Sequence, residues 1–219
     1  MPFFKFKNSA SGSTLSIYDE IGVLGVQASD FRQQLDAVQS PTLALEINSP
    51  GGDVFAGVAI YNMLKASGKT IAVKVMGVAA SAASLIAMAG DTIEMPENTF
   101  MMVHNPLTGI YGNAEDLREA ADVLDKIGES LLAAYVGKTG MPEAEMKALL
   151  AHDTWLTAGE ALTKGFATKV TPAINAQASF SMKRADLPAN VAAMFKAATP
   201  VGASVYDVWA KRRNRQGAK

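Results

Sequence analysis

The chain has 219 residues, 49% hydrophobic and 19% charged, the composition of a globular protein whose length suits one domain with an appendage. It holds no cysteine, which excludes disulfides, thiolate metal sites and a cysteine nucleophile and fits a reducing cytoplasm. The net charge of −1 is unevenly spread: residues 171–219 carry eight Lys/Arg against Asp186 and Asp207, net +6, which leaves −7 for residues 1–170.

The opening stretch, "MPFFKFKNSASGSTL", is basic but lacks an apolar core followed by a small-residue cleavage site, which argues against a secretory signal. In "STLSIYDEIG", Leu15 and Ile17 alternate with polar neighbours, the period of a half-buried strand. "SDFRQQLDAV" repeats Phe31, Leu35 and Val38 at helical spacing behind Ser29, predicting a helix capped by that serine. "TLALEINS" reads as a strand that stops at "PGGD". From Asp53, residues Val54, Val58, Tyr61 and Leu64 mark a second amphipathic helix.

"TIAVKVMG" is a β-branched strand, and the small-residue stretch "GVAASAASLIAMAG", Gly77 to Gly90, is predicted to follow it as a helix. Within it the longest apolar run, Val78 to Ala89, spans 12 residues broken by two serines, short of the roughly 20 that a membrane span needs. "TIEMP" and "FMMVHNP" read as short strands. Asn113 then caps a predicted helix to Val136, with Gly137 just beyond it; its 23 residues cover about 35 Å and carry Leu117, Ala121, Leu124, Gly128, Leu131 and Tyr135 along one side. "MPEAEMKALLAHD" gives a shorter helix with Pro142 in its first turn, and "TAGEALTKGFA" carries a capping box, Thr157 with Glu160, ending at Gly165. Strands alternating with helices call for a parallel sheet with crossover helices, so the fold class is α/β. The predicted organisation is an amino-terminal segment 1–13, a body 14–170 and a basic, partly flexible tail 171–219 with a short amphipathic piece at Val191 to Phe195.

Two hydroxyls, Ser81 and Ser84, interrupt the Ala-rich run. Ser81 falls just after a strand, at the first turn of the predicted helix, where free backbone N–H groups favour an anionic intermediate. A serine hydroxyl becomes a nucleophile only when a base takes its proton, and the chain has two histidines, His104 and His152. His104 ends the strand "MMVH"; His152 stands beside Asp153 at a helix end. Either is a candidate base, with Asp153 as the group that orients it. Gly51 and Gly52 of "NSPGGD" allow backbone N–H groups to approach a substrate and, with the N–H of Ala82, to form an oxyanion hole. Ser84 is read as packing, and a Ser–Lys dyad through Lys126 or Lys138 is the lesser alternative, since solvated helix faces explain both lysines.

"INSPGGDVFAGVAIYNML", "GVAASAASLI", "MMVHNP" and "HDTWLTAGEALTKGFATKV" together resemble the ClpP family of serine peptidases, in order, over residues 14–170, and within it the phage and prophage head maturation proteases. The resemblance implies a ClpP/crotonase-like fold of repeated ββα units with a long protruding helix. It implies Ser81 as nucleophile, His104 as base, Asp153 as the acidic member and Gly52 and Ala82 as oxyanion donors. Gly51, Gly52 and Asp53 are assigned to substrate binding, and no metal or cofactor is expected. The partners implied are further copies in a ring and a polypeptide substrate, a capsid, scaffold or portal protein, with no nucleic acid or membrane, in the bacterial host cytoplasm or within the procapsid. The short amino-terminal segment argues for ATP-independent action; the alternatives are a ClpP-type subunit working with an ATPase, a crotonase-like acyl-CoA enzyme that needs no Ser81, and a silent scaffold protein.

Overall fold

The computed structural model describes residues 4–9 and 12–174. The predicted tail features, the amphipathic piece at Val191 to Phe195 and the basic end, lie outside the described residues.

Two strands form the centre of the sheet. Thr42–Ser49 (β3) buries Leu43, Leu45 and Ile47, and Thr70–Ala80 (β4) buries Ile71, Val73 and Val75, alternate residues on one face of each strand. They pair in parallel, and Gly12–Ile17 (β2) joins β3 in parallel on the other side. Phe4–Ser9 (β1) runs antiparallel to β2 at the edge, a strand that the sequence patterning did not single out.

β4 then forks. Its first half, Ala72 to Lys74, pairs with Thr92–Pro96 (β5), and its second half, Val78 to Ala80, pairs with Phe100–Val103 (β6). The fork follows an irregularity between Ile47 and Ser49, where the Asn48 side-chain oxygen accepts from the Val78 N–H at 3.1 Å. Gly77 is required there, because a Cβ would fall 2.4 Å from that oxygen. Thr154–Thr157 (β7) adds to β6 antiparallel, and Lys169–Thr171 (β8) pairs with β5. The result is a mixed α/β fold with a parallel centre and antiparallel additions at β1 and β7, consistent with the ClpP-like expectation.

The helices depart from the predicted boundaries in instructive ways. Ala28–Asp36 (α1) buries Phe31 and Leu35 as expected, but its N-cap is Gln27, with no side-chain cap; Ser29 lies inside the first turn and bonds Asp30 instead. Val54–Ala66 (α2) is capped by the Asp53 carboxylate, which accepts from the Ala56 N–H at 2.7 Å.

The predicted helix from Gly77 to Gly90 is half strand: residues 77–80 complete β4, and only Ala82–Ala87 (α3) is helical. Pairing with β6 satisfies their backbone groups and overrides the helix propensity of alanine. All six α3 residues are buried, as in a core helix. The long helix runs Ala114–Thr139 (α4), 26 residues, so Gly137 is internal and the left-handed terminator is Gly140, with φ 70°. Asn113 and Asp116 form its capping box. Glu143–Leu150 (α5), with Pro142 as its N-cap, and Ala158–Thr163 (α6), capped by Thr157 and Glu160, complete the fold. Only Leu131, Leu132 and Tyr135 of α4 are buried; the amino-terminal half protrudes.

Candidate active site

Strand register brings the site together. β4 and β6 align Ala80 with Met102, and the Ser81 N–H donates to the Met102 carbonyl at 2.8 Å, so Ser81 leaves its strand beside the end of β6, where His104 emerges. β6 and β7 run antiparallel with Val103 opposite Thr154, which sets His104 against Asp153 one step further on. The Asn105 N–H, donating to the Leu150 carbonyl at 2.7 Å, ties that loop to the end of α5, just ahead of Asp153.

His104 Nε2 lies 2.7 Å from Ser81 Oγ, and Nδ1 lies 3.3 Å from Asp153 Oδ1. A carboxylate only accepts, so the proton sits on Nδ1 and Nε2 is free to accept from the serine hydroxyl. The His104 side chain is 9% exposed and that of Asp153 33%. Burial pulls the His104 pKa below its ordinary value, against the opposing charge and hydrogen bond of Asp153, so the neutral, basic form predominates at neutral pH.

Ser81 itself carries φ 54° and ψ −125°, the one non-glycine residue with positive φ among the described residues. Such a conformation costs about 1–3 kcal/mol and persists only where neighbours fix it. It throws the side chain out of the strand-to-helix turn toward His104. Because α3 has six residues, little remains of the helix dipole expected from the sequence; what it supplies is the N–H of Ala82 at its first position.

The glycine turn packs directly on this elbow. A Cβ on Gly51, at φ 92°, would meet Ser81 Cβ at 2.7 Å and the Ala82 nitrogen at 2.9 Å, so only glycine fits. The Gly51 N–H is held by Ser49 Oγ at 3.1 Å, whereas the amides of Gly52 and Ala82 find no acceptor among the described residues. Gly52 pairs with Ile21 through an isolated bridge; at its φ of 146° a Cβ would fall 2.0 Å from the Ile21 carbonyl oxygen, so glycine is again demanded. Asp53, grouped with substrate binding from the sequence, uses its carboxylate to cap α2.

Of the rivals, Lys138 donates to the Gly90 and Asp91 carbonyls, Lys126 is exposed on α4, and His152 is exposed beyond α5, so none joins Ser81. Ser84, read from the sequence as packing, is fully buried, and its hydroxyl bonds both the Ser81 carbonyl and the Tyr135 phenol, partners that the sequence reading did not name. No group of metal-ligating side chains occurs among the described residues, and no helix among them is long and apolar enough to cross a membrane.

A serine hydroxyl in contact with a neutral imidazole, at strand ends of an α/β sheet, is the arrangement of a serine hydrolase, the broad class that includes the serine peptidases. Known sequences narrow it: residues 13–173 match the family model for Clp protease, and the chain belongs to the Clp protease family. It is similar to the ATP-dependent Clp protease proteolytic subunit of Porphyromonas gingivalis, 31% identical over 164 residues, 69% of this chain and 73% of the relative. Proteolytic subunit 2 of Thermobifida fusca is 36% identical over 131 residues, and proteolytic subunit 1 of Mycobacterium bovis 35% over 130, each match covering 58% of this chain and 64% of the relative.

Proposed function

We propose that the chain is a serine endopeptidase with Ser81 as nucleophile, His104 as base and Asp153 as the carboxylate that orients it. The 2.7 Å contact between Ser81 Oγ and His104 Nε2 carries this reading. A substrate chain lies extended beside the Gly51–Gly52 turn. Ser81 Oγ attacks its carbonyl carbon as the hydroxyl proton passes to Nε2, and the amides of Gly52 and Ala82 receive the oxyanion. Collapse breaks the C–N bond, and the proton on Nε2 goes to the leaving amine. Water, deprotonated by His104, then cleaves the acyl-enzyme and restores the Ser81 hydroxyl.

A fluorophosphonate tests the assignment: covalent labelling of the wild type that Ser81→Ala abolishes supports it. The crotonase-like and scaffold alternatives both require an unlabelled wild type.

The finer reading is ATP-independent processing of phage capsid, scaffold or portal proteins by a ring of subunits, and it rests on the motif resemblance. The exposed Leu117 and Val123 on α4 and Leu107, Ile110 and Tyr111 before it supply apolar surface for subunit contact. The residues 14–170 form the peptidase body in this reading, and the basic segment 171–219 docks on acidic partners. The names of the relatives, ATP-dependent proteolytic subunits, favour a second reading in which an ATPase delivers the substrate. Cleavage of an assembled capsid or scaffold protein without nucleotide supports the first, and degradation of a folded protein only with an added unfoldase and ATP supports the second.

A further inference from the structure

Ser84 stands outside the proton path from Ser81 to His104, yet it is fully buried one turn into α3, and its Oγ donates to the Ser81 carbonyl at 2.7 Å. The same oxygen lies 2.7 Å from the Tyr135 Oη on α4. A hydroxyl carries one hydrogen, and the Ser84 hydrogen goes to a carbonyl that can only accept, so the phenol donates to Ser84. The relay therefore runs one way, from the Tyr135 O–H to the Ser84 O–H to the Ser81 carbonyl. Burial pushes the Tyr135 pKa up to about 12, which keeps the phenol a donor across the neutral range. Its ring packs against Phe166 with centroids 6.0 Å apart.

The Ser81 carbonyl and the Ala82 N–H belong to one trans peptide unit and point in opposite directions. Whatever fixes the carbonyl also aims the amide. That carbonyl accepts from the Ser84 N–H at 2.9 Å and the Leu85 N–H at 3.3 Å, bonds that come with the helix, and from the Ser84 hydroxyl, which does not. Lys138, one turn beyond Tyr135, donates to the Gly90 and Asp91 carbonyls, so α4 holds the α3 segment at both ends.

We infer that Ser84 and Tyr135 are positioning residues that lock the Ser81–Ala82 peptide plane, holding the strained Ser81 toward His104 and the Ala82 N–H toward the oxyanion. The inference rests on the peptidase reading of Ser81. A donor misdirected in the transition state lowers turnover and leaves substrate affinity alone.

The test uses the full chain as wild type, Ser81→Ala, Ser84→Ala, Tyr135→Phe and the double variant Ser84→Ala with Tyr135→Phe. Fluorophosphonate labelling rate, kcat and KM on a short peptide, and melting temperature are measured for each. Loss of one hydrogen bond at this point predicts a roughly tenfold fall in labelling rate and kcat for Ser84→Ala and about threefold for Tyr135→Phe, with KM unchanged. The double variant should match Ser84→Ala alone, because the phenol acts only through Ser84. If Ser84→Ala does not fold, Tyr135→Phe, which keeps the bond to the Ser81 carbonyl, carries the test. Wild-type labelling rate and kcat in the folded variants, with only a lower melting temperature, overturn the inference, as does a double variant whose loss is the product of the two single losses. A wild type that is not labelled at Ser81 overturns the peptidase reading and this inference with it; a labelled wild type with unimpaired variants overturns the inference alone.

Discussion

Two regions of the molecule, the packing around Ser81 and the outer surface that leads along α4, are built on opposite plans. One is α3 with the glycine turn and the last turns of α4, where small residues, Leu131, Leu132 and Tyr135 are buried and Gly51 lies against the elbow with no room for a methyl group. The other runs from Leu107 through the first half of α4, where Leu107, Ile110, Tyr111, Leu117 and Val123 are large, apolar and exposed. A buried wall fixes atoms to fractions of an ångström; an exposed apolar wall is fixed by no packing within its own chain and, in the proposed ring, serves as surface for another subunit. The same helix, α4, serves both plans, one at each end.

The comparison is sharpened most where the buried wall ends in chemistry. Ser81→Ala and His104→Ala should each reduce peptide hydrolysis by about 10⁴-fold or more, and the double variant should be little worse than either, since groups acting as a unit do not add. Losses that multiply would show that the two residues act separately.

His104 is held between Ser81 and Asp153, with its side chain 9% exposed. Its lowered pKa means that the neutral base survives below the ordinary histidine value of about 6.5, so the acid limb of kcat/KM should fall below that pH. Asp153→Asn should cost roughly 10²–10⁴-fold by disturbing the imidazole tautomer. It should also move the acid limb further down, because it removes the charge and hydrogen bond that hold the pKa up. A limb that rises instead would reverse the assigned electrostatics.

Within the buried wall, Gly51→Ala should lower activity about a hundredfold, since its Cβ would press on Ser81 and Ala82 at a φ that alanine resists. Leu131→Ala, at the buried end of α4, should destabilise the chain by about 2–5 kcal/mol in denaturant melts. At the exposed end, Leu117→Glu or Val123→Glu should change the stability of the chain by less than about 0.5 kcal/mol while reducing the assembled mass in light scattering. Equal destabilisation at both ends would erase the distinction between the walls.

Much of this was legible in the residues. The alternation in "TLALEINS" gave β3 its bounds, Thr42–Ser49, and Thr157 with Glu160 announced the α6 cap, because side-chain period and capping are local and leave a local trace. The error at Gly77–Gly90 has the same root: alanine and glycine in a row carry no period, so the sequence reads as one helix what the sheet divides into the end of β4 and the short α3.

By itself the sequence determined the fold class, the absence of any cysteine chemistry and the short roll of candidates: Ser81, two histidines, Asp153 and the glycine pair. It left His104 and His152 both open as base until the motif resemblance favoured one, and it gave Ser84 no partner. Tertiary structure separated the two histidines through strand register, since Ala80 beside Met102 brings His104, and not His152, to Ser81, and it gave Ser84 its partners. It also decided that a tyrosine 51 residues along the chain from Ser84 reaches its hydroxyl. Such contacts depend on how distant elements pack, and no local spacing of residues encodes them.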